Sequence, residues 1–203
     1  MIAIIDYDAG NMKSVQNALK VLGADGRITA NREEILSAER IILPGVGNFA
    51  DAMQNLKNRG LDDVIRDAVA REIPFLGICL GLQVLFEDSE ESPGAEGLGI
   101  LKGHIIRIPD QPGLKIPHIG WNSLRLMHDG DLFKGIGAEP YVYFVHSYYL
   151  KASDPAIVTA TTEYSTTIHA SVQNGYVYAS QFHPEKSGAL GLKILTNFIK
   201  HSS

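Results

Sequence analysis

Apolar positions follow two different rhythms along this chain. Up to Gly97, short unbroken apolar runs alternate with stretches of helical spacing. Ile2-Ala3-Ile4-Ile5, closed by Asp6, reads as a buried strand. Val15, Ala18, Leu19 and Leu22 then fall on one helical face, with Asn11 placed to cap that helix and Gly23 to end it. Ile41-Ile42-Leu43 before Pro44 is the next apolar run. Phe49, Met53 and Leu56 share a further helical face, and Leu61, Val64, Ile65, Ala68 and Val69 share another after Gly60. Pro74-Phe75-Leu76-Gly77-Ile78 reads as a central strand, with a helix over Leu80 to Phe86 behind it. This alternation predicts βαβ units, and so an α/β fold with a parallel sheet flanked by helices.

Beyond Gly97 strands follow strands. The expected ones are Gly99 to Ile108, Tyr141 to Leu150, Ala156 to Thr162, Thr166 to Val172 and Tyr176 to Gln181. Asn174-Gly175 marks a hairpin between the last two. The C-terminal half therefore adds antiparallel strands. An amphipathic helix closes the chain, with Leu195, Phe198 and Ile199 inward and Leu192 and Ile194 flanking. No repeat, low-complexity tract or linker divides residues 1–203, so one domain is expected. Asp110-Gln111-Pro112-Gly113 reads as a surface turn within it.

Composition narrows the function. Of 203 residues, 45% are hydrophobic and 20% charged, which excludes a disordered, coiled-coil or collagen-like chain. Eighteen Lys and Arg against 23 Asp and Glu leave a net charge of −5, the wrong sign for a phosphate-backbone binder, so no nucleic-acid partner is expected. The most apolar stretch, Pro74 to Phe86, contains Gln83 and is too short to span a bilayer. No basic segment followed by a long apolar run opens the sequence, so a cytoplasmic protein without a membrane partner is expected. The single cysteine, Cys79, cannot form an internal disulfide, and thiolate zinc sites usually use more than one cysteine. No histidine pair has the i, i+4 metal spacing, so neither a metal nor a cofactor is expected.

That cysteine carries the sharpest local signal. Gly77-Ile78-Cys79-Leu80-Gly81 lies between a predicted strand and a predicted helix, in the pattern of a nucleophile elbow with Cys in place of Ser. Such a turn lifts the sulfur to a helix N-terminus, where free N–H groups favour the thiolate. The N–H of Leu80 can also serve an oxyanion. A cysteine between packing glycines can equally be a buried structural residue. A base is offered by His183, which follows a predicted strand and opens His183-Pro184-Glu185. Glu185 can accept the imidazole N–H and set its tautomer, completing acyl-transfer triad logic. His104, His128, His169 and His201 read as solvated, and nothing in the sequence gives His118 or His146 a chemical role. Leu43-Pro44-Gly45-Val46-Gly47 supplies a third element. It is a plain βα turn, a phosphate cradle that lacks the Lys-Ser/Thr ending of a Walker loop, or a source of a second oxyanion N–H from Val46 or Gly47.

Taken in chain order, this loop, the elbow and His-Pro-Glu resemble the class I, triad-type glutamine amidotransferases. Several segments further resemble the glutaminase subunits of imidazole glycerol phosphate synthases. These are Gly10-Asn11 with Ser14-Val15, Leu43 to Gly47, Pro117-His118-Ile119-Gly120-Trp121-Asn122, Tyr143 to Tyr149, and Gln181 to Ser187. The resemblance spans almost the whole chain.

It implies an open, twisted, mostly parallel sheet and a Cys79, His183, Glu185 triad that hydrolyses L-glutamine. Gln83 and the Ser147-Tyr148 backbone would hold the amino-acid end of the substrate, with Glu91 a further candidate or simply a solvated acid. It implies a 1:1 heterodimer with a (β/α)8-barrel cyclase subunit, which takes up the ammonia and forms imidazole glycerol phosphate and an aminoimidazole carboxamide ribonucleotide in histidine biosynthesis. Control by the nucleotide-bound partner through the Gly45-Val46-Gly47 backbone is implied too. Asn11, Trp121, Asn122, Tyr143 and Lys186 are the implied interface residues; Trp121 could instead be a core aromatic and Lys186 a solvated charge. Three other readings remain at this point. They are a glutaminase subunit of another pathway such as pyridoxal phosphate synthesis, a cysteine peptidase on the same scaffold, and a subunit that binds without catalysis.

Overall fold

The computed structural model describes residues 1–8, 10–127 and 130–200. His128 and His201 lie outside the described residues. The first half alternates strands and helices: β1 (Ile2–Ile5), α1 (Met12–Val21), β2 (Gly26–Thr29), α2 (Arg32–Leu36), β3 (Arg40–Gly45), α3 (Phe49–Asn58), α4 (Leu61–Ala70), β4 (Phe75–Cys79) and α5 (Leu80–Gln83). The second half carries β5 (Asp88–Ser89), β6 (Gly103–Arg107), β7 (His118–Ser123), β8 (Arg125–Leu126), β9 (Tyr141–His146), β10 (Tyr148–Ala152), β11 (Val158–Tyr164), β12 (Thr166–Asn174), β13 (Val177–Ser180) and α6 (Gly188–Lys200).

The main sheet runs β2-β1-β3-β4-β13-β12-β10-β6-β5, with β11 on β12 and β8 on β11. From β2 to β13 all pairs are parallel, and β12, β10 and β6 then continue antiparallel. β7 and β9 form a separate antiparallel pair.

Every residue of β1 and β4 is buried, as a parallel strand covered on both faces requires. Alternate side chains go to opposite layers. Ala3, Ile5, Ile41 and Leu43 meet Phe49 and Leu56 of α3 and Leu61 and Ile65 of α4. Ile2, Ile4, Ile42, Leu76 and Ile78 meet Val15 and Leu19 of α1 and Ile194, Leu195 and Phe198 of α6.

Four details depart from the spacing argument. β2 and α2 are short and mostly polar, too weakly patterned to be expected. The helix predicted over Leu80 to Phe86 stops at Gln83. The carbonyls of Val84, Leu85 and Phe86 accept hydrogen bonds from the backbones of Leu98, Leu101 and Gly99 instead, a tertiary pairing that a continuous apolar run does not reveal. The strand expected over Tyr141 to Leu150 breaks at Ser147 into β9 and β10, which belong to different sheets. In α6 Ile194 enters the core, and Ile199 sits at its margin. The hairpin forms with Gly175 and Tyr176 in its turn, Asn174 pairing with Val177.

Candidate active site

Strand register brings distant segments to one rim. Gly45 of β3 pairs with Cys79 of β4, and Ile78 pairs with Ser180 of β13. The C-terminal ends of three neighbouring parallel strands therefore deliver the Gly45-Val46-Gly47 turn, Cys79 and the Gln181-Phe182-His183 segment side by side. That is where α/β sheets build sites.

Cys79 turns the chain from β4 into α5 with φ 56° and ψ −109°, a conformation costly for a non-glycine residue. The turn is tight enough that a Cβ on Gly77 would lie 2.6 Å from the Gly81 carbonyl oxygen. One on Gly81 would lie 1.8 Å from that of Leu43 in β3. Leu80 is the first residue of α5, so its N–H has no partner inside the helix. Gln181 Nε2 donates to the Cys79 sulfur at 3.7 Å, while Gln83 Nε2 donates to Gln181 Oε1 at 3.2 Å.

His183 is fully buried and anchored by its backbone. Its N–H donates to the Tyr143 carbonyl at 3.0 Å, and its own carbonyl accepts from Ser187 Oγ at 2.6 Å. Pro184 opens a single 3-10 turn that carries Glu185 back onto the ring. Nδ1 and Glu185 Oε1 are 2.7 Å apart, with both side chains shut off from solvent. A carboxylate only accepts, so Nδ1 carries the proton and Nε2 is left for another partner. Nε2 has no conventional hydrogen bond, yet Cys79 acts on it electrostatically. Burial, the largest single influence, pushes the imidazolium's pKa down; the Cys79 and Glu185 side chains outweigh it and hold that pKa up at about 9.

Asn11 follows a different course from the one its sequence position suggests. It stands at the N-terminus of α1 with φ 81° and makes no side-chain cap. Its Nδ2 donates instead to Glu185 Oε1, the oxygen that also serves His183.

A cavity of about 290 Å³ opens above Cys79. Val46, Gly47 and Leu80 border it together with the thiol, and Gln83, Glu91, Ser147 and Tyr148 border it as well. Gly47 has φ 112°, open to glycine and resisted by other residues. Glu91 is not simply solvated, since its Oε2 accepts the Phe49 N–H at the start of α3 at 2.8 Å. Gln83 Nε2 donates to the Tyr148 carbonyl at 3.1 Å. Among the described residues no three His, Cys, Asp or Glu side chains gather as a metal centre would need.

The chain matches the model of the family described as "Glutamine amidotransferase class-I" over residues 3–202. It belongs to the class I glutamine amidotransferases. Imidazole glycerol phosphate synthase subunit HisH of Dehalococcoides mccartyi is 50% identical to this amidotransferase over 98% of this chain and 97% of the relative. The protein of the same name in Methanocaldococcus jannaschii is 49% identical over 98% and 99% of the two chains. A crystal structure titled as a glutamine amidotransferase has the same fold, with a TM-score of 0.77 at 20% identity over 98% of each chain. PurLQS from Thermotoga maritima aligns with a TM-score of 0.75, also at 20% identity, over 98% of this chain and 96% of the other.

On this amidotransferase Trp121 is 56% exposed and meets Tyr143 edge-on at 6.2 Å, so it is not a core aromatic. Ile119, Trp121 and Tyr141 put a row of exposed apolar side chains on the β7–β9 pair, and Lys186 is exposed after Glu185. Gln181 and Tyr7 escaped the sequence argument. Gln181 sits two residues before His183, a position that could have drawn attention to it. Tyr7 gives no signal beyond following β1, yet its hydroxyl is buried beside Gly45. His169 is also not solvated, because its Nδ1 accepts the Ala152 N–H at 3.1 Å. His104 is exposed and bonds Asp88 at 2.8 Å. Among the described residues no helix is long and apolar enough to cross a membrane.

Proposed function

We propose that this chain is the glutaminase subunit of an imidazole glycerol phosphate synthase. In this reading it hydrolyses L-glutamine and passes the ammonia to a (β/α)8-barrel cyclase subunit in a 1:1 heterodimer. The observation that carries the reading is the convergence of Cys79, buried His183–Glu185 and the Gly45–Gly47 turn around one small cavity. The pathway rests on the relatives' name and their near-complete coverage.

The thiolate of Cys79 attacks the side-chain carbonyl carbon of glutamine. As the sulfur–carbon bond forms, the carbonyl oxygen takes the negative charge and is met by backbone N–H groups of Leu80 and of Val46 or Gly47. His183, held cationic by its neighbours, gives its Nε2 proton to the amide nitrogen, and the carbon–nitrogen bond breaks to release ammonia. Water then gives a proton to His183 and attacks the thioester, freeing glutamate and Cys79. Glu185, held by Asn11, keeps the imidazole in register. Gln83, Glu91 and the Ser147–Tyr148 backbone bind the amino-acid end. Trp121, Asn122, Tyr143 and Lys186 face the cyclase.

The test is glutamate production with and without the cyclase and its nucleotide. Turnover should rise when both are present. Cys79→Ala should abolish glutamine-dependent synthesis and leave ammonia-dependent synthesis by the complex nearly intact. A Cys79→Ala complex that still used glutamine would remove the nucleophile from this account.

A further inference from the structure

A pair of histidines that the reaction above leaves idle links the cavity wall, which His146 lines, to strand β7, which His118 opens. His118 and His146 face each other across β7 and β9 and are 3% and 6% exposed. His146 Nδ1 is 2.9 Å from the Tyr148 carbonyl oxygen, and its Nε2 is 3.1 Å from His118 Nδ1. Asn122 Nδ2 stands 3.4 Å from His118 Nε2.

Chemistry fixes the direction of these contacts. A carbonyl only accepts, so His146 Nδ1 bears the proton. Nε2 of a neutral ring must then accept, which requires His118 to donate from Nδ1. His118 Nε2 is left as an acceptor, and the Asn122 amide supplies the donor. Donation therefore runs one way, from Asn122 to His118, from His118 to His146 and from His146 to the Tyr148 carbonyl oxygen, and a proton added to His146 would break it. Burial disfavours that proton, pushing the pKa of His118 down to about 4 and that of His146 down to about 3. Rotation of His118 is blocked as well. Its ring is stacked on Tyr164 at 3.9 Å and on Phe144 at 4.8 Å.

The inner end of this chain is part of the cavity. Tyr148 and Ser147 line it beside Cys79, and the Tyr148 carbonyl also accepts from Gln83 Nε2, another lining residue. The outer end is tied to the surface. Asn122 Nδ2 also donates to the Glu163 carbonyl at 3.0 Å, and Asn122 neighbours exposed Trp121. We infer that His118 and His146 are positioning residues, a one-way hydrogen-bond chain that fixes the Ser147–Tyr148 wall of the glutamine pocket and ties its position to strand β7. The inference rests on the glutaminase reading for the identity of the pocket's occupant. Its consequence is that a shift of β7 reaches the substrate wall through side chains that are not themselves reacting groups.

The decisive experiment is steady-state glutaminase kinetics in the assembled complex with nucleotide bound. His118→Phe keeps both stacking contacts and removes the donor to His146. It should raise KM for glutamine about tenfold and leave kcat within about twofold, the scale of one lost buried hydrogen bond. His118→Asn, whose amide nitrogen can occupy the place of Nδ1, should recover most of that loss. Asn122→Ala, at the accessible end, should raise KM about threefold in the parent and have no further effect in the His118→Phe background. A parent-like KM in His118→Phe would overturn the inference. So would a His118→Asn variant impaired as much as or more than His118→Phe, because packing would then be the whole role. A fall in kcat at unchanged KM would overturn it too. Failure of the parent complex to release glutamate in a Cys79-dependent manner would instead defeat the glutaminase reading, before any variant is compared.

Discussion

Cys79 and Ser147 both stand at the edge of the cavity, and the chain reaches the two positions by opposite means. Cys79 ends a strand buried on both faces and flanked on each side by a parallel neighbour. Its position is dictated locally, by glycines on either side of a strained turn. Ser147 lies where one stretch of β-forming sequence changes sheets, β9 pairing with β7 and β10 with β6 and β12. Nothing adjacent to Ser147 forces that break, and its position follows from partners distant in sequence. The parallel half thus turns the proposed nucleophile by local rules, and the antiparallel half builds the wall and an exposed face by long-range pairing. Substitutions in the first half should damage chemistry or folding. Those in the second should damage binding.

The largest effect expected is on the parallel side. Glu185→Gln leaves an isosteric amide beside His183 but removes the charge that helps hold its proton. Glutamine turnover in the complex should fall about a thousandfold, within the range of acid–base catalysis. The residual activity should lose its alkaline limb at a lower pH than the parent. The sign follows from the raised pKa: the imidazolium of the parent survives to about 9, and the substitution removes one of the influences that raise it. The same linkage makes the folding stability conferred by the charged His183 fully present below its ordinary pKa of 6.5 and lost as pH rises through about 9. A kcat/KM profile over pH for both proteins checks the first point. An unmoved alkaline limb would detach Glu185 from the ring's proton.

Gly81→Ala attacks the fold instead of the chemistry. The added methyl would meet the Leu43 carbonyl oxygen of β3, a backbone atom that cannot swing away. A loss of about 3 kcal/mol in denaturant unfolding is expected, at the upper end of overpacking effects. A parent-like midpoint would show that the elbow and β3 have room to separate. The contrast is instructive because Gly81 touches no predicted reacting atom.

Trp121→Ala probes the other half. Its side chain is largely exposed, so the isolated subunit should unfold within about 0.5 kcal/mol of the parent. Affinity for the cyclase should weaken by about 2 kcal/mol, as for an aromatic anchor at an interface. Calorimetric titration with the cyclase measures this. A stability loss larger than the affinity loss would return Trp121 to a packing role.

The same division governs what could be read from the residues alone. β1, α1, β3, α3, α4 and β4 announce themselves because each has a strong apolar period and local punctuation. The elbow and the Gly45–Gly47 turn were visible for the same reason, since strand ends and glycines mark them. His183 and Glu185 were visible because Pro184 constrains the turn between them. β2 and α2 were hidden by their polar, partly exposed surfaces. The break at Ser147 was hidden because β-forming residues run on both sides of it without turn punctuation. Asn11 misled by standing at a helix start, where its side chain has a local use, while Glu185 offers it a stronger charged acceptor from the far end of the chain. His118 and His146 were silent for a related reason. A directed pair of imidazoles exists only once β7 and β9 are paired.

The smallest effect expected returns to the parallel rim. Tyr7 follows β1, is fully buried, and its hydroxyl has no hydrogen-bond partner among the described residues. Burial and the nearby Cys79 push its pKa up, so the hydroxyl stays protonated and needs an acceptor. The same oxygen lies 2.1 Å from where a Cβ on Gly45 would fall, against the strand that leads into the Val46–Gly47 turn. A buried unsatisfied hydroxyl costs about 1 kcal/mol or more, so Tyr7→Phe should stabilise the subunit by about 1 kcal/mol, read from the urea midpoint at constant slope. This is the reverse of what a core tyrosine with a satisfied hydroxyl would give. A destabilised Tyr7→Phe would mean that the oxygen has a partner in solution. The parallel rim would then hold one polar contact more, and its strain would reside in the Cys79 turn alone.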